Sequence, residues 1–511
     1  MNKIITCALP YANGNLHIGH FFEATCADIK SRYLTHTQQS HLFVSGDDCH
    51  GAATTLYCQK NNLDIQNHLD KQYLLHQKAY SDLKINFSSF SKTNNSLHKQ
   101  VVNWCINNIK SYEKKHNVSL LEVRDVLSWY DPISLQFLPD RYIKGDCPHC
   151  GAKEQHPEIC ENCNQPILAD KIIGAFNVLT QNPVTLKSTK HLTLNTQSFY
   201  STLIENEKLL HPSIKNKILD LNDNKYIDIS RDAPYYGIEI EGFEDLTNQF
   251  FYVWFDAPLA YLSFSYEIWL ESKLPNHDSF NEFLSHVRFE HFIGKDIAYF
   301  HTFLWLNLLK VICPDSKAQV EKINFHGWIT LDKIKFSKSK GHHFDLSQFS
   351  PEQIDAIRLY FFSKHDGSIQ DNEFQAQEVY QLYNQTVVNG LANFYARSTK
   401  IAENNNIKIK LLAEKLNHDY CDLLDSGNYK KLYETINHQL AELNSSFQTL
   451  QLWKETNPNI IESKINDFLQ QWYRIYQVLC FVCPSLSDKQ DSILNGQFIH
   501  ISEKLDNFSL F

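Results

Sequence analysis

Four of the thirteen cysteines stand in two close pairs, Cys147-x-x-Cys150 and Cys160-x-x-Cys163. Four thiolates so spaced can close a tetrahedron, the geometry zinc takes at structural sites, and four protein ligands leave no open position for catalysis. Pro148, Gly151, Pro157 and Asn162 suit the tight turns of such a knuckle. One structural Zn²⁺ is expected there, the alternative being reduced cysteines without a ligand. Cys480-Phe481-Val482-Cys483 has the same spacing but no second pair, and it sits in an apolar helical run where Cys behaves as a small hydrophobe.

Two further clusters suit phosphate. His17 and His20 lie three residues apart after Asn13-Gly14, at the start of a helical pattern. A helix N-terminus offers unpaired N–H groups and a partial positive charge. Two imidazoles in its first turn share a face and can both point at an anion, and Gly19 lets a flat ligand approach the backbone. A capped helix with two surface histidines is the bland alternative. Far downstream, Lys333, Lys335, Lys338 and Lys340 concentrate charge on the Ser- and Gly-bearing stretch Lys335-Phe336-Ser337-Lys338-Ser339-Lys340-Gly341. Such a loop can close over a polyphosphate, or be a solvated basic loop.

These residues need a scaffold, and the hydrophobic pattern supplies one. KIITCALP reads as a strand ended by Pro10, and HIGHFFEATCADIKSRYL reads as a helix. HLFVSG and TTLYCQKN repeat the unit across the turn Asp47–Gly51. Two strand–turn–helix units in succession predict a doubly wound parallel sheet with its site at the carboxyl edge. From about Leu121 to Ser230 that sheet rhythm is missing. It returns with FYVWFDAPLAYLSF, RFEHFIGKDIAYFHTFLWLNLLK and INFHGWIT, and from about Pro351 onward the pattern is helical. The expected fold class is α/β: a Rossmann-like sheet split by a zinc-bearing connective insertion and followed by an all-α bundle. The expected units are 1–115 and 233–325 for the two halves of the sheet domain, 116–232 for the insertion, 326–370 for the lysine loop and its surroundings, and 371–511 for the bundle.

Composition sets the outer bounds. At 511 residues the chain is too long for one core. Its 43% hydrophobic and 21% charged residues are those of a globular protein. A formal charge of −10 excludes a uniformly basic nucleic-acid coat, though not a local basic track. No apolar run approaches a membrane span, and Pro10 and Asn13-Gly14 interrupt the N-terminus before a secretory core could form, so a cytoplasmic protein without a membrane partner is expected. The single Met is unexplained.

The histidine and lysine clusters together resemble the paired HIGH and KMSKS signatures of class I aminoacyl-tRNA synthetases, in the family's order, with Phe336 where the family usually has Met. CALPYANGNLHIGH, SGDDCHG, ISRDAPYYG, YVWFDAPLAY, FIGKDIAYFH and the cysteine knuckle are each similar to blocks of the methionyl-tRNA synthetase group. The resemblance implies ATP-dependent activation of L-methionine to methionyl-adenylate, then transfer to the 3′-terminal adenosine of tRNA(Met), initiator tRNA included. Catalysis then rests on positioning and charge stabilisation. By resemblance, His17, His20, Lys335 and Lys338 stabilise the phosphates, with Mg²⁺ bridging them, and Gly294 and Asp296 join Gly19 at the adenosine. Asp48 takes the substrate ammonium, a helix N-cap being its other reading. Trp254, Ala257, Pro258, Tyr261, Ile297 and His301 hold the side chain against Leu9 and Tyr11; core packing is the rival for Ile297. Arg231 resembles a residue near the active site. Asn389, Asn393 and Arg397 recur every four residues. Asn393 and Arg397 look like the family's anticodon-reading pair, and Trp453 like its stacking aromatic, with bundle core as the alternative for Trp453. The chain ends at Phe511 without the dimerising domain some members carry, so a monomer is expected.

Overall fold

The structure is a computed structural model. It describes residues 2–160, 162–163, 166–167, 171–197, 199, 207–220, 225–272, 280–314, 318–331, 334–335, 345–497 and 499–506. Lys338 and most of its loop lie outside these, as does the side chain of Lys335.

Five strands form the central sheet. β1 (Asn2–Cys7) lies at its middle, flanked by β2 (His41–Asp47) on one side and by the strand Val287–Gly294 on the other. β3 (Ser89–Lys92) and the strand Gln319–His326 complete the two edges. Every pairing is parallel, with Ile5 opposite both Phe43 and Glu290. Such a sheet is covered on both faces, which is why Ile4, Ile5, Phe43 and Val44 form unbroken apolar pairs rather than alternating with polar residues. Gly46 permits one close approach: a Cβ there would sit 2.3 Å from the Ser91 carbonyl.

One face packs on α1 (Ile18–His36) and, beyond it, on the helical C-terminal region; Phe21, Phe22 and Ile29 share a core with Ile357, Phe361 and Tyr476. The other face packs on α4 (Ser96–His116) and the helices Ala260–Ser272 and Leu306–Ile312. Between β2 and β3 lie α2 (Ala52–Lys60) and α3 (Ile65–Asp82). The C-terminal region is helical, as expected; its longest helices are Tyr429–Leu450 and Pro458–Val482, and Cys480 and Cys483 are buried in its core.

Two expectations need correction. The segment 121–230 is not without a sheet: β4 (Leu121–Asp131) pairs antiparallel with Thr185–Asn195 and Gln136–Leu138, and Tyr226–Asp228 adds a fourth strand. These strands are largely solvent-facing and rich in Lys, Glu, Asp and Thr, so they carry no apolar signature. In FYVWFDAPLAYLSF only Phe251 and the two residues before it form a strand, outside the central sheet, and the rest is helical.

Candidate active site

The carboxyl ends of the central strands open into a cavity of about 760 Å³. β1 delivers Leu9 and Tyr11, β2 delivers Asp48, and the strand Val287–Gly294 delivers Gly294, Asp296 and Ile297. The first turn of α1 contributes His17, Gly19 and His20, and the helical segments beyond add Trp254, Ala257, Pro258, Tyr261 and His301. Every residue expected at the nucleotide or amino-acid subsite, the lysines apart, therefore borders one space. Ile297 lines the cavity, is half buried and also packs against the core beneath it, so it fits both of its readings. Trp328 and Ile329 also reach the cavity, and the strand Ile329–Leu331 leads to the backbone of Lys335, which pairs with Thr330.

At the α1 end the two imidazoles are stacked, ring centres 3.7 Å apart and 13° from parallel, and the His17 N–H donates to His20 Nδ1 over 3.1 Å. Gly19 leaves room for this: a Cβ there would come within 3.1 Å of the His17 ring. Gly294 is similar, since its Cβ would meet Asp296 Oδ1 at 2.7 Å.

Asp48 is buried, and its backbone is fixed by Asp48 N–H to Pro10 O and Ala12 N–H to Asp48 O, both 2.9 Å. It is not a helix cap. α2 starts four residues later, at Ala52, with Gly51 as its N-cap, at φ 111°. The carboxyl accepts the His50 N–H over 3.3 Å, and burial, with Asp256 behind it, pushes it well above the usual carboxylate range.

At the opposite wall, Tyr261 Oη and His301 Nε2 are 2.9 Å apart. His301 Nδ1 faces the Ile297 carbonyl at 3.1 Å, so this nitrogen carries the proton and Nε2 accepts from the tyrosine. Burial lowers the His301 imidazole to about 4. Trp254 stacks on Phe300 at 4.0 Å and meets Tyr11 edge-on at 6.3 Å, a flat apolar wall.

The cysteine knuckle gathers as its spacing predicts. All four Sγ atoms lie within 4.8 Å of one another, with Cys147 and Cys163 at 3.8 Å and Cys150 and Cys160 at 3.7 Å. The His149 and Cys163 N–H groups donate to the Cys147 and Cys160 sulfurs, at 3.4 and 3.5 Å. Hydrogen bonding from Asn162 and Ala152 brings the Cys150 thiol down to about 6. Thiolates so supported fit Zn²⁺.

In the helical region Asn393 is exposed and Arg397 half-buried, both on the helix Asn393–Asn404. Asn389 falls in a π-helical stretch, Asn384–Ala392, so the four-residue spacing does not continue one α-helical face. Arg397 lies over the Phe447 ring at 5.1 Å and donates to Gln448 Oε1 over 2.9 Å. Trp453 is 45% exposed beside Phe447, on a turn anchored by buried Leu452, so it is not bundle core.

A family model described as tRNA synthetases class I (M) matches residues 3–399. The chain belongs to this family. It is 30% identical over 521 residues to a methionine–tRNA ligase of Buchnera aphidicola subsp. Acyrthosiphon pisum, covering 96% of this chain and 91% of that one. It is 28% identical over 538 residues to a methionine–tRNA ligase of Francisella tularensis, covering 99% and 78%. In fold it is similar to the methionyl-tRNA synthetase of Mycobacterium tuberculosis in complex with methionyl-adenylate, at TM-score 0.69 and 18% identity over 97% of this chain and 94% of that one.

Sequence reasoning missed several members of this synthetase's cavity. Glu23 lies on the face of α1 that carries His20, one turn on, a spacing that could have revealed it. Its Oε1 accepts from the Ala8 N–H at 2.5 Å, and its Oε2 is 2.9 Å from His326 Nε2. Burial opposes protonation of His326, but the Glu23 carboxylate raises it above the ordinary value. Arg141 comes from the insertion and has no local signal. With Arg231, whose guanidinium lies 3.6 Å from the Tyr252 ring centre, it also borders an adjoining cavity of about 610 Å³.

Proposed function

We propose that the chain is an ATP-dependent methionine–tRNA ligase, acting in the cytoplasm in translation initiation and elongation. It joins L-methionine to ATP with release of pyrophosphate, then passes the methionyl group to the 3′-terminal adenosine of tRNA(Met). The observation that carries this reading is the single cavity at the sheet's carboxyl edge, which holds an anion-binding helix start at one end and an apolar, aromatic pocket with one buried carboxyl at the other.

The methionine carboxylate is already an ionised nucleophile and attacks the α-phosphorus in line. The reaction therefore needs alignment and charge stabilisation rather than a general base. His17, His20 and the N–H groups of α1 face the triphosphate, with Gly294 and Asp296 at the adenosine. Lys335 and Lys338 close from the lysine loop onto the phosphates as charge builds. Mg²⁺, arriving with ATP, neutralises phosphate charge. Asp48 pairs with the substrate ammonium. Tyr261, His301, Trp254 and Ile297 surround the thioether, whose sulfur makes favourable contacts with aromatic rings. The knuckle holds one structural Zn²⁺ on Cys147, Cys150, Cys160 and Cys163. Asn393, Arg397 and Trp453 read anticodon bases by hydrogen bonding and stacking.

Amino-acid-dependent exchange of labelled pyrophosphate into ATP tests the reading across the twenty acids. Methionine should support exchange far above any other, and a preference for cysteine, leucine or isoleucine would overturn it. Lys338→Ala should lose most of this exchange while keeping tRNA binding; unchanged exchange would remove the lysine from the mechanism.

A further inference from the structure

Behind Asp48 lies a group of buried side chains that the reaction above does not use. Asp256 Oδ2 is 2.5 Å from His50 Nδ1 and 3.8 Å from His98 Nε2, while Asp256 Oδ1 has no hydrogen-bond partner among the described residues. His98 Nδ1 is 2.9 Å from Ser263 Oγ, whose own proton goes to the Ala260 carbonyl at 3.1 Å. His98 Nε2 faces the Asp256 carboxylate. Burial holds the His98 imidazole below its ordinary value, so it stays neutral there. Burial would raise the Asp256 carboxyl, yet the two histidines hold it below the usual range and hence ionised.

The three buried aspartates here differ in their partners. Asp47 has His76 Nδ1 at 2.7 Å, and Asp256 has His50. Among the described residues, Asp48 has no cation within ion-pair distance. Its carboxyl meets one backbone N–H, at 3.3 Å, with the charges of Asp47 and Asp256 close by. The other titratable groups around it are Cys49 beside it, Tyr11 and Tyr261 across the cavity, and Arg141 at the cavity's rim. A carboxylate placed among like charges and away from water holds a proton until a cation reaches it.

We infer that Asp48 is protonated in the empty site and gives up its proton as the substrate ammonium arrives, and that the ionised Asp256, held by His50 and His98, is a positioning group that adds to the effect of its burial. The exchange balances: the carboxyl O–H breaks, the proton passes to solvent, and the carboxylate pairs with an R–NH₃⁺ that keeps all three of its protons. The identity of the ammonium compound rests on the proposed function; the exchange itself requires only an α-ammonium acid. The ligand atoms of His50, His98 and Asp256 lie within 4.8 Å of one another, as in a small metal site. In this structure His50 and Asp256 are instead in direct hydrogen-bond contact, at 2.5 Å.

The test is calorimetric titration of L-methionine into the full, zinc-loaded chain, in phosphate and in Tris, whose ionisation enthalpies differ. Because the folded carboxyl titrates above its ordinary value, release should approach about one proton per methionine at the acidic end of the stable range and shrink as pH rises. Asp256→Asn removes the neighbouring charge but leaves the burial, so its release should be smaller than the parent's at a pH where the parent releases most of a proton, and an unchanged release would remove Asp256 from the inference. Asp48→Asn should show none at any pH. Heats independent of buffer in the parent, at every pH, would overturn the inference without recourse to any variant. So would a second equivalent of bound metal lost with Asp256→Asn. If methionine fails to bind but another amino acid binds with proton release, the proposed substrate fails and the inference stands.

Discussion

Replacing Tyr261 by Phe removes one oxygen and tests how the thioether end of the cavity is held. His301 Nδ1 is committed to the Ile297 carbonyl, so Nε2 depends on the Tyr261 hydroxyl at 2.9 Å for its only donor among the described residues. Both side chains are buried, and the imidazole, lowered to about 4, is neutral at working pH and cannot recover the loss by protonation. An acceptor orphaned in such a place costs about 1–3 kcal/mol. At about 1.4 kcal/mol per tenfold, that is a rise of roughly 5- to 150-fold in the methionine KM. Steady-state pyrophosphate exchange, with methionine and ATP varied separately, should show the methionine KM rising and the ATP KM unchanged. Adding His301→Leu to Tyr261→Phe removes the orphan, so the double variant should lose less than the sum of the singles. A change below about twofold in methionine KM, or an equal change in both KM values, would refute the reasoning.

Trp453→Ala removes an exposed stacking surface worth about 1–3 kcal/mol per base, so tRNA charging should fall by roughly 5- to 150-fold in kcat/KM with exchange unaltered; equal losses in both would argue against base stacking. Elemental analysis of protein purified without chelator should find one zinc per chain. Cys160→Ser should lose that zinc and open the knuckle to protease while the central sheet stays protected, and zinc retained in full would contradict the four-thiolate site. Asp28→Ala leaves the buried Arg358 guanidinium without its carboxylate, 2.6 Å away, and breaking such a pair costs about 3–5 kcal/mol. Its thermal midpoint should drop by roughly 3–5 °C, and an unchanged midpoint would mean that the backbone carbonyls around Arg358 suffice. Exchange of Asp28→Leu with Arg358→Met should restore part of the loss, which separates the charge from the packing.

Much of the cavity was legible because its residues come from strand ends and helix starts, where local pattern is strongest. Proline, Asn-Gly and the change from period-two to helical spacing mark Leu9, Tyr11, His17 and His20 before any coordinate is seen. The cysteine knuckle was legible because four ligands lie within seventeen residues. What was not legible depends on distance in the chain. Arg141 reaches the cavity from the insertion, and His326 meets Glu23 across about three hundred residues. The antiparallel sheet of the insertion left no trace either, since strands wetted on one face need no apolar run. Asn389 shows the opposite error: a spacing of four promises one face only while the helix stays α, and a π-helical stretch intervenes.

α1 joins the two halves of the chemistry. Its first turns carry His17, His20 and Glu23 into the cavity. Two turns on, Asp28 accepts from Arg358 at 2.6 Å and from Arg32 at 2.7 Å, and these two cations outweigh burial and hold its carboxyl below the usual range. Arg358 also donates to the Val482 carbonyl at 2.7 Å, which ties α1 to the longest helix of the C-terminal region. Lys30, buried, pairs with Asp425 at 2.6 Å, and the Tyr429 hydroxyl donates to the Cys26 carbonyl at 3.1 Å. A helix so pinned along its length behaves as one rigid body, because its backbone bonds and packed side chains have few alternative arrangements. Any displacement of the helical region that breaks these contacts must therefore move the imidazole pair as well. The geometry of the His17–His20 end of the cavity is fixed as much by Asp28, Lys30 and Arg358 as by the residues that face it.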